Sequence, residues 1–275
     1  MGGGLSFGIS RSHAGADLDA AARRFAEALS ARVGRKISVV VTADYEQLLD
    51  GVLVGGVSVA WMPPLMHVRA AIEGAPLACV SERGGALAYR AALLVRADSH
   101  RTTVRGLRGV RAAWADPYSA SGYLFPQLHL QAAGLDPRYD FASESFHGTA
   151  NAAARAVADG DAELCAHYVS DAAGSARDQH FKLAQLELRQ ALGDAVAGKL
   201  RVLDVTDPIP PDGMVLAPPL DGRVQAALRD ALLSLHDESR GQEALRALCQ
   251  AERLAPVTGD VVKIIARLRA HVPQR

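Results

Sequence analysis

Over the first 75 residues, short runs suited to β-strands alternate with helical patterns, which restricts the chain to β-α-β units stacked around a mostly parallel sheet. Leu5 to Ser10 reads as the first strand. Asp17 to Val33 reads as a helix, because Leu18, Ala21, Ala22, Phe25, Ala28 and Leu29 recur at helical spacing and Gly34 stands where such a helix stops. Ile37 to Ala43 is apolar and β-branched, a second strand. Asp44 is placed to cap a helix through Leu53, and Gly55-Gly56 breaks it. Val57 to Met62 returns as strand, and Pro63-Pro64 opens a helix that ends near Gly74.

Leu87 to Ala97 reads as a long strand leading into Asp98-Ser99, and a change of lobe is expected near residue 97. The pattern then repeats. A turn at Asp116 to Gly122 precedes a helix to Ala133, a strand lies around Phe141 to Phe146, a helix covers Asn151 to Asp159, and a strand covers Glu163 to Tyr168. Leu200 to Thr206 is a further strand, and Pro208-Ile209-Pro210-Pro211 marks a second crossing. Helices near Gly222 to Asp237, Gln242 to Gln250 and Gly259 to His271 are assigned back to the first lobe. The expected division is residues 1–97 with 206–275 as one lobe and 98–205 as the other; 275 residues suffice for two lobes.

Composition removes several classes of function. Lys and Arg number 30 and Asp and Glu number 30, so no basic face for nucleic acid is indicated. Cys79, Cys165 and Cys249 are an odd set without paired spacing, which supports neither a disulfide framework nor a zinc ribbon. The histidines show no ligand spacing, no phosphate loop or dinucleotide fingerprint occurs, and no cofactor or metal is expected. Apolar stretches such as Ile37 to Ala43 fall far short of the roughly 18 to 20 residues of a membrane span, so a soluble protein is expected. The N-terminal residues lack the charged and apolar regions of a leader.

The stretch richest in chemistry is Asp116-Pro117-Tyr118-Ser119-Ala120-Ser121-Gly122-Tyr123, between a strand and a helix. Hydroxyls at Ser119 and Ser121, orphan backbone N–H groups and the positive end of a helix dipole meet there, a layout suited to an anion, and Gly122 admits close approach to the backbone. Taken alone, Ser121 reads as a helix cap and Ser119 as a local turn.

Read in order, Asp44-Tyr45-Glu46-Gln47-Leu48-Leu49, Val57-Ser58-Val59-Ala60-Trp61 with Pro63-Pro64, and Tyr89 ahead of Val95-Arg96-Ala97-Asp98-Ser99 carry a family resemblance. So do the serine turn, Phe146-His147-Gly148-Thr149, and Ala156-Val157-Ala158-Asp159-Gly160-Asp161-Ala162. With these marks the chain resembles, almost end to end, the phosphonate and phosphite substrate-binding proteins of ABC transporters. The resemblance implies a two-lobed α/β fold of the type II periplasmic-binding-protein class, with a small phosphorus oxyanion in the cleft between lobes that close around it, and delivery to a transporter permease. It implies no enzymatic activity and no cofactor. Carried over by position, the ligand residues are Tyr45, Tyr89, Ser119, Ala120, Ser121 and His147, with both tyrosines in the first lobe. The family turn commonly reads Ser-Thr-Ser-Gly, so Ala120 lacks one hydroxyl and keeps its N–H. In members that bind aminoalkyl phosphonates, carboxylates hold the ammonium; the matching positions are Ser170, with Asp171 beside it, and Asp212. Periplasmic placement presupposes a removed leader, and cytoplasmic placement a complete sequence.

Two other readings are open. Ser121, His147 and several aspartates suggest a hydrolase triad, but no G-x-S-x-G elbow occurs. Cytoplasmic enzymes and ligand-sensing domains also use this two-lobed fold.

Overall fold

All six residues of β1 (Leu5–Ser10) are buried, as in a strand covered on both faces. The computed structural model describes residues 4–13, 17–171 and 176–269. After β1 come α1 (Leu18–Val33), β2 (Ile37–Thr42), α2 (Tyr45–Leu53), β3 (Val59–Met62), α3 (Pro64–Ile72) and β4 (Leu77–Glu82). Helix α1 buries Ala21, Ala22, Phe25, Ala26, Ala28 and Leu29, and sets Phe25 4.7 Å from Phe7 of β1, ring centre to ring centre. Gly34 ends it at φ 71°, with its N–H on the Ser30 carbonyl. Asp44 caps α2 by accepting from the Gln47 N–H at 2.8 Å.

The chain then builds a second unit. Its elements are β5 (Tyr89–Arg96), a 3-10 turn (Val104–Leu107), β6 (Arg111–Trp114), a single π-helical turn (Ala120–Leu124), α4 (Phe125–Ala132), α5 (Pro137–Asp140) and β7 (Ser143–Phe146). They continue with α6 (Ala150–Asp159), β8 (Leu164–Ser170), α7 (Arg177–Leu192), α8 (Asp194–Ala197) and β9 (Leu200–Val205). Finally β10 (Gly213–Leu216), α9 (Gly222–Leu233), α10 (Ser239–Cys249), β11 (Arg253–Ala255) and α11 (Gly259–Arg269) return to the first unit.

The first unit is Met1–Leu87 with Pro210–Arg275, and the second is Ala88–Ile209. The first sheet has the order β11-β4-β10-β3-β1-β2, with β1 parallel to β2 and β3, and β10 antiparallel between β3 and β4. The second has the order β7-β6-β8-β5-β9, with β6 parallel to β7 and β8, and β5 antiparallel to β8 and β9.

Strand β5 changes the division expected from the sequence. The strand read at residues 87–97 belongs to the second unit, so the chain leaves the first unit after Leu87 rather than near Ala97, and re-enters it at Pro210. Tyr89, expected in the first lobe, is therefore a residue of the second. The cause is burial: Ala92 and Leu94 enter one core cluster and Leu93 and Val95 another, so β5 needs cover on both faces and partners on both edges. Among the described residues, no helix is long and apolar enough to cross a membrane.

Candidate functional site

In the second unit, β6, β7 and β8 run in one direction and β5 in the other, so the ends of the first three and the start of β5 share one edge of the sheet. The serine turn leaves β6 there, His147 follows β7, and Tyr168 and Ser170 close β8. Tyr89 opens β5 opposite Ser170.

Within the turn, Ser119 is the cap. Its Oγ accepts from the Gly122 N–H at 3.1 Å, the Leu124 N–H donates to the Ser119 carbonyl at 2.9 Å, and the Ala115 N–H to the Gly122 carbonyl at 3.2 Å. The Ser119 hydroxyl proton stays available for donation, because its oxygen is engaged only as an acceptor. Ser121 is half-buried, and no hydrogen bond of its hydroxyl occurs among the described residues. Gly122 is required here. A Cβ at that position would stand 2.5 Å from the Ala115 Cβ and 2.7 Å from the Ser119 Oγ. Asp116 turns its carboxylate back onto the Tyr118 N–H at 2.9 Å, and burial holds its carboxyl above the usual range.

Ala120 is buried with Tyr89, Ala91 and Ile209, and Phe125 and Tyr168 pack against that group. Its methyl therefore fills an apolar niche beneath the turn. Tyr89 and Tyr168 stack at 5.3 Å with 29° between their planes. The sequence reading passed over Tyr168; its signal was an aromatic residue two positions before the end of a strand that faces the turn.

His147 is exposed, and its Nε2 lies 3.0 Å from the Ser145 Oγ. No hydrogen bond joins it to Ser121 among the described residues, so the geometry gives no support to a serine–histidine relay. Beyond it, Thr149 caps α6 through the Ala152 N–H at 3.1 Å.

Two of the expected residues lie in the first unit. Tyr45 begins α2 and is buried. Asp212 is also buried and forms an ion pair with Arg83, whose guanidinium further donates to the carbonyls of Cys249 and Gln250 at 2.8 and 3.1 Å. At the other expected carboxylate position, the Ser170 N–H donates to Glu187 at 3.0 Å. Asp171 is engaged by Arg90 at 2.7 Å and by His180 at 3.0 Å. Each carboxylate the sequence offered for an ammonium already has a basic partner of its own. Also missed by the sequence reading is His13, whose ring stands edge-on to Trp61 at 4.3 Å, centre to centre.

Burial also shifts two histidines and a cysteine of the two units. It pushes His67 down to about 4 and lowers His167, whose Nε2 lies 2.9 Å from the Asn151 Oδ1. It pushes the Cys79 thiol up to about 12. Among the described residues, no group of three or more His, Cys, Asp or Glu side chains is arranged to hold a metal ion.

Comparison with known proteins gives a consistent grouping. The phosphate-import protein PhnD of Mycolicibacterium smegmatis is 30% identical over 160 residues, covering 54% of this chain and 49% of that protein, so the match spans about half the length of the relative. Solved structures share the fold. XAC2383 from Xanthomonas citri, bound to ATP, superposes with a TM-score of 0.80 at 19% identity, over 98% of this chain and 96% of that one. PhnD1 from Prochlorococcus marinus, in complex with methylphosphonate, gives 0.70 at 17% identity, over 97% and 98%. A family model described as "ABC transporter, phosphonate, periplasmic substrate-binding protein" matches residues 7–261, and the chain belongs to that family.

Proposed function

We propose that this protein binds a small phosphorus oxyanion, of phosphonate, phosphite or phosphate type, outside the cytoplasm and hands it to the permease of an ABC transporter. The observation that carries this reading is the shared edge of the second sheet, where the Ser119 and Ser121 hydroxyls, the first N–H groups of the turn, Tyr89 and His147 all lie. Such donors suit an anion whose charge is spread over several oxygens. The ligands of the Xanthomonas and Prochlorococcus structures, ATP and methylphosphonate, both carry phosphorus-bound oxygens.

The binding is assigned mainly to neutral donors. Arg83 and Arg90 are committed to Asp212 and Asp171, and their pairing leaves no net charge at either place. A further consequence is that the ligand carries no ammonium group, since the carboxylates that would receive one are occupied.

The test is a thermal-shift and calorimetric panel of phosphate, phosphite, methylphosphonate, 2-aminoethylphosphonate and sulfate. A ligand at 100 times its Kd stabilises the folded state by about 2.7 kcal/mol. Stabilisation by at least one phosphorus oxyanion and none by sulfate is expected. No response to any phosphorus compound would exclude the reading.

A further inference from the structure

The sheet of the first unit ends on β11 and β2, and that of the second on β7 and β9. Three of these four edge strands are blunted against further pairing by shortness, charge or an irregular register. Strand β11 has three residues and carries Arg253, and β7 has four and carries Glu144. Strand β9 is charged at Arg201 and Asp204 and meets β5 through a shifted register. Strand β2 has none of these devices. Its sequence, Ile37-Ser38-Val39-Val40-Val41-Thr42, is six residues long, without charge or proline, and its register with β1 is unbroken. A β-branched run on an open edge is a template for another strand.

The hydrogen bonds show which residues of β2 face outward. The Arg11 N–H donates to the Thr42 carbonyl at 2.9 Å, so Thr42 and, by alternation, Val40 and Ser38 turn their backbone groups toward β1. The residues between them turn theirs away. At each end the outward N–H is already spent, that of Ile37 on the Ser30 Oγ at 3.0 Å and that of Ala43 on the Gln47 Oε1 at 3.4 Å. Val39 and Val41 lie between these plugs, half-buried, and among the described residues no strand pairs with that side of β2.

Charge flanks the run asymmetrically. Arg35 and Lys36 precede it, both exposed, and Asp44 follows it. A strand that is basic at its start and acidic at its finish complements itself when two copies run antiparallel. The backbone and the charges select the same register. With each Val39 opposite the second copy's Val41, the outward N–H and C=O groups pair with one another, Val40 meets Val40 on a two-fold axis, and Lys36 falls opposite Asp44. Lys36 forms no ion pair among the described residues, and Asp44 spends one oxygen on the Gln47 N–H. An unrelated strand could take the hydrogen bonds, but only one with this polarity gains the charges at both ends, which favours a second copy.

We propose that the outer edge of β2 is a self-association surface, where two copies of this chain join their first sheets by antiparallel β2–β2 pairing. The contact lies wholly in the first unit and is independent of the ligand.

The test is sedimentation velocity over a range of protein concentrations, with amide hydrogen exchange on the same samples. The wild type is expected to pass from monomer to dimer as concentration rises, with protection of the Val39 and Val41 amides appearing in step. Lys36→Glu, at an exposed position, sets like charges opposite each other at both ends of the pairing and should weaken the dimer at least about tenfold. Val41→Pro removes an N–H that faces away from β1, where an edge strand accepts proline, and should abolish the dimer. A wild type that stays monomeric up to about 1 mM overturns the proposal. So does a dimer in which the Val39 and Val41 amides exchange freely, or one that Lys36→Glu leaves unchanged. If Val41→Pro does not fold, Lys36→Glu and the wild-type exchange pattern decide the matter.

Discussion

The His147 N–H donates to the Trp114 carbonyl at 2.9 Å, and the next N–H, of Gly148, donates to the Ala115 carbonyl at 2.7 Å. The loop after β7 is thereby fastened to the residues from which the serine turn starts. Histidine and hydroxyls are two branches of one rigid platform, with Gly148 at φ 81° providing the bend. Replacing Gly148 with alanine is expected to strain that bend and to weaken ligand binding while His147 itself is intact, measured by calorimetry beside a urea melt.

Ser121→Ala should separate binding from folding. Its hydroxyl has no partner within the described residues, so ligand-free stability should change by under about 0.5 kcal/mol, as for surface substitutions. Affinity should fall about tenfold, the equivalent of 1.4 kcal/mol. Ser119→Ala removes the cap on the Gly122 N–H as well, and should cost about 0.5 to 2 kcal/mol of stability in addition to affinity. Unchanged affinity in both variants would remove the turn from the site.

Ala120→Thr tests the niche beneath the turn. Ala120 is buried against Tyr89, Ala91 and Ile209, so two added heavy atoms crowd the group that holds Tyr89. Overpacking of this kind costs about 1 to 3 kcal/mol. Lower stability and weaker binding are expected, against the alternative that a restored hydroxyl tightens binding of phosphite or methylphosphonate.

Asp212→Asn leaves the Arg83 guanidinium without its carboxylate in a mostly buried setting, a loss of up to about 3 kcal/mol in chemical melts. The ratio of affinities for 2-aminoethylphosphonate and methylphosphonate should not respond. A selective loss of the amine-bearing ligand would show instead that Asp212 receives the ammonium.

His67 predicts an acid-side dependence of stability. Burial lowers its pKa to about 4, so between about pH 6.5 and 4 the unfolded chain binds a proton that the folded chain refuses. Stability then rises with pH across that window and is lost as pH falls through it, by on the order of 3 kcal/mol in all. His67→Gln, which keeps an N–H for the Pro211 carbonyl, should flatten the profile in urea melts at pH 7 and pH 5.

The sequence was most legible where local chemistry and tertiary role agree. Helix α1 ends at Gly34, α2 begins on Asp44 and α3 on Pro63-Pro64, each from a cap or a proline that acts within one turn. Strand β10 and helix α7 escaped the reading. Gly213 to Leu216 is short, lacks alternation and follows three prolines in five residues, and only its partners β3 and β4 make it a strand. Helix α7 carries polar residues on most of its surface and buries only His180, Ala184, Leu188 and Leu192. In the second unit, the serine turn and the loop that carries His147 were readable as local structure because their spacing is local. The pairing of Asp212 with Arg83, the stacking of Tyr168 on Tyr89 and the contact of His13 with Trp61 join residues far apart in sequence, and no local pattern encodes them.

The interrupted first unit also sets an order of assembly. Strand β10 lies between β3 and β4, so residues 1–87 alone leave both strands without the neighbour they share. The inserted unit, by contrast, is one unbroken segment with its own sheet and its own core clusters. During synthesis from the N-terminus the inserted unit can fold as soon as its last strand has emerged, whereas the part of the protein made first must wait for a strand made near the end. Until then the incomplete edges of β3 and β4 are open to pairing with other chains, so the interval before β10 emerges is the stage of this topology most exposed to misassembly.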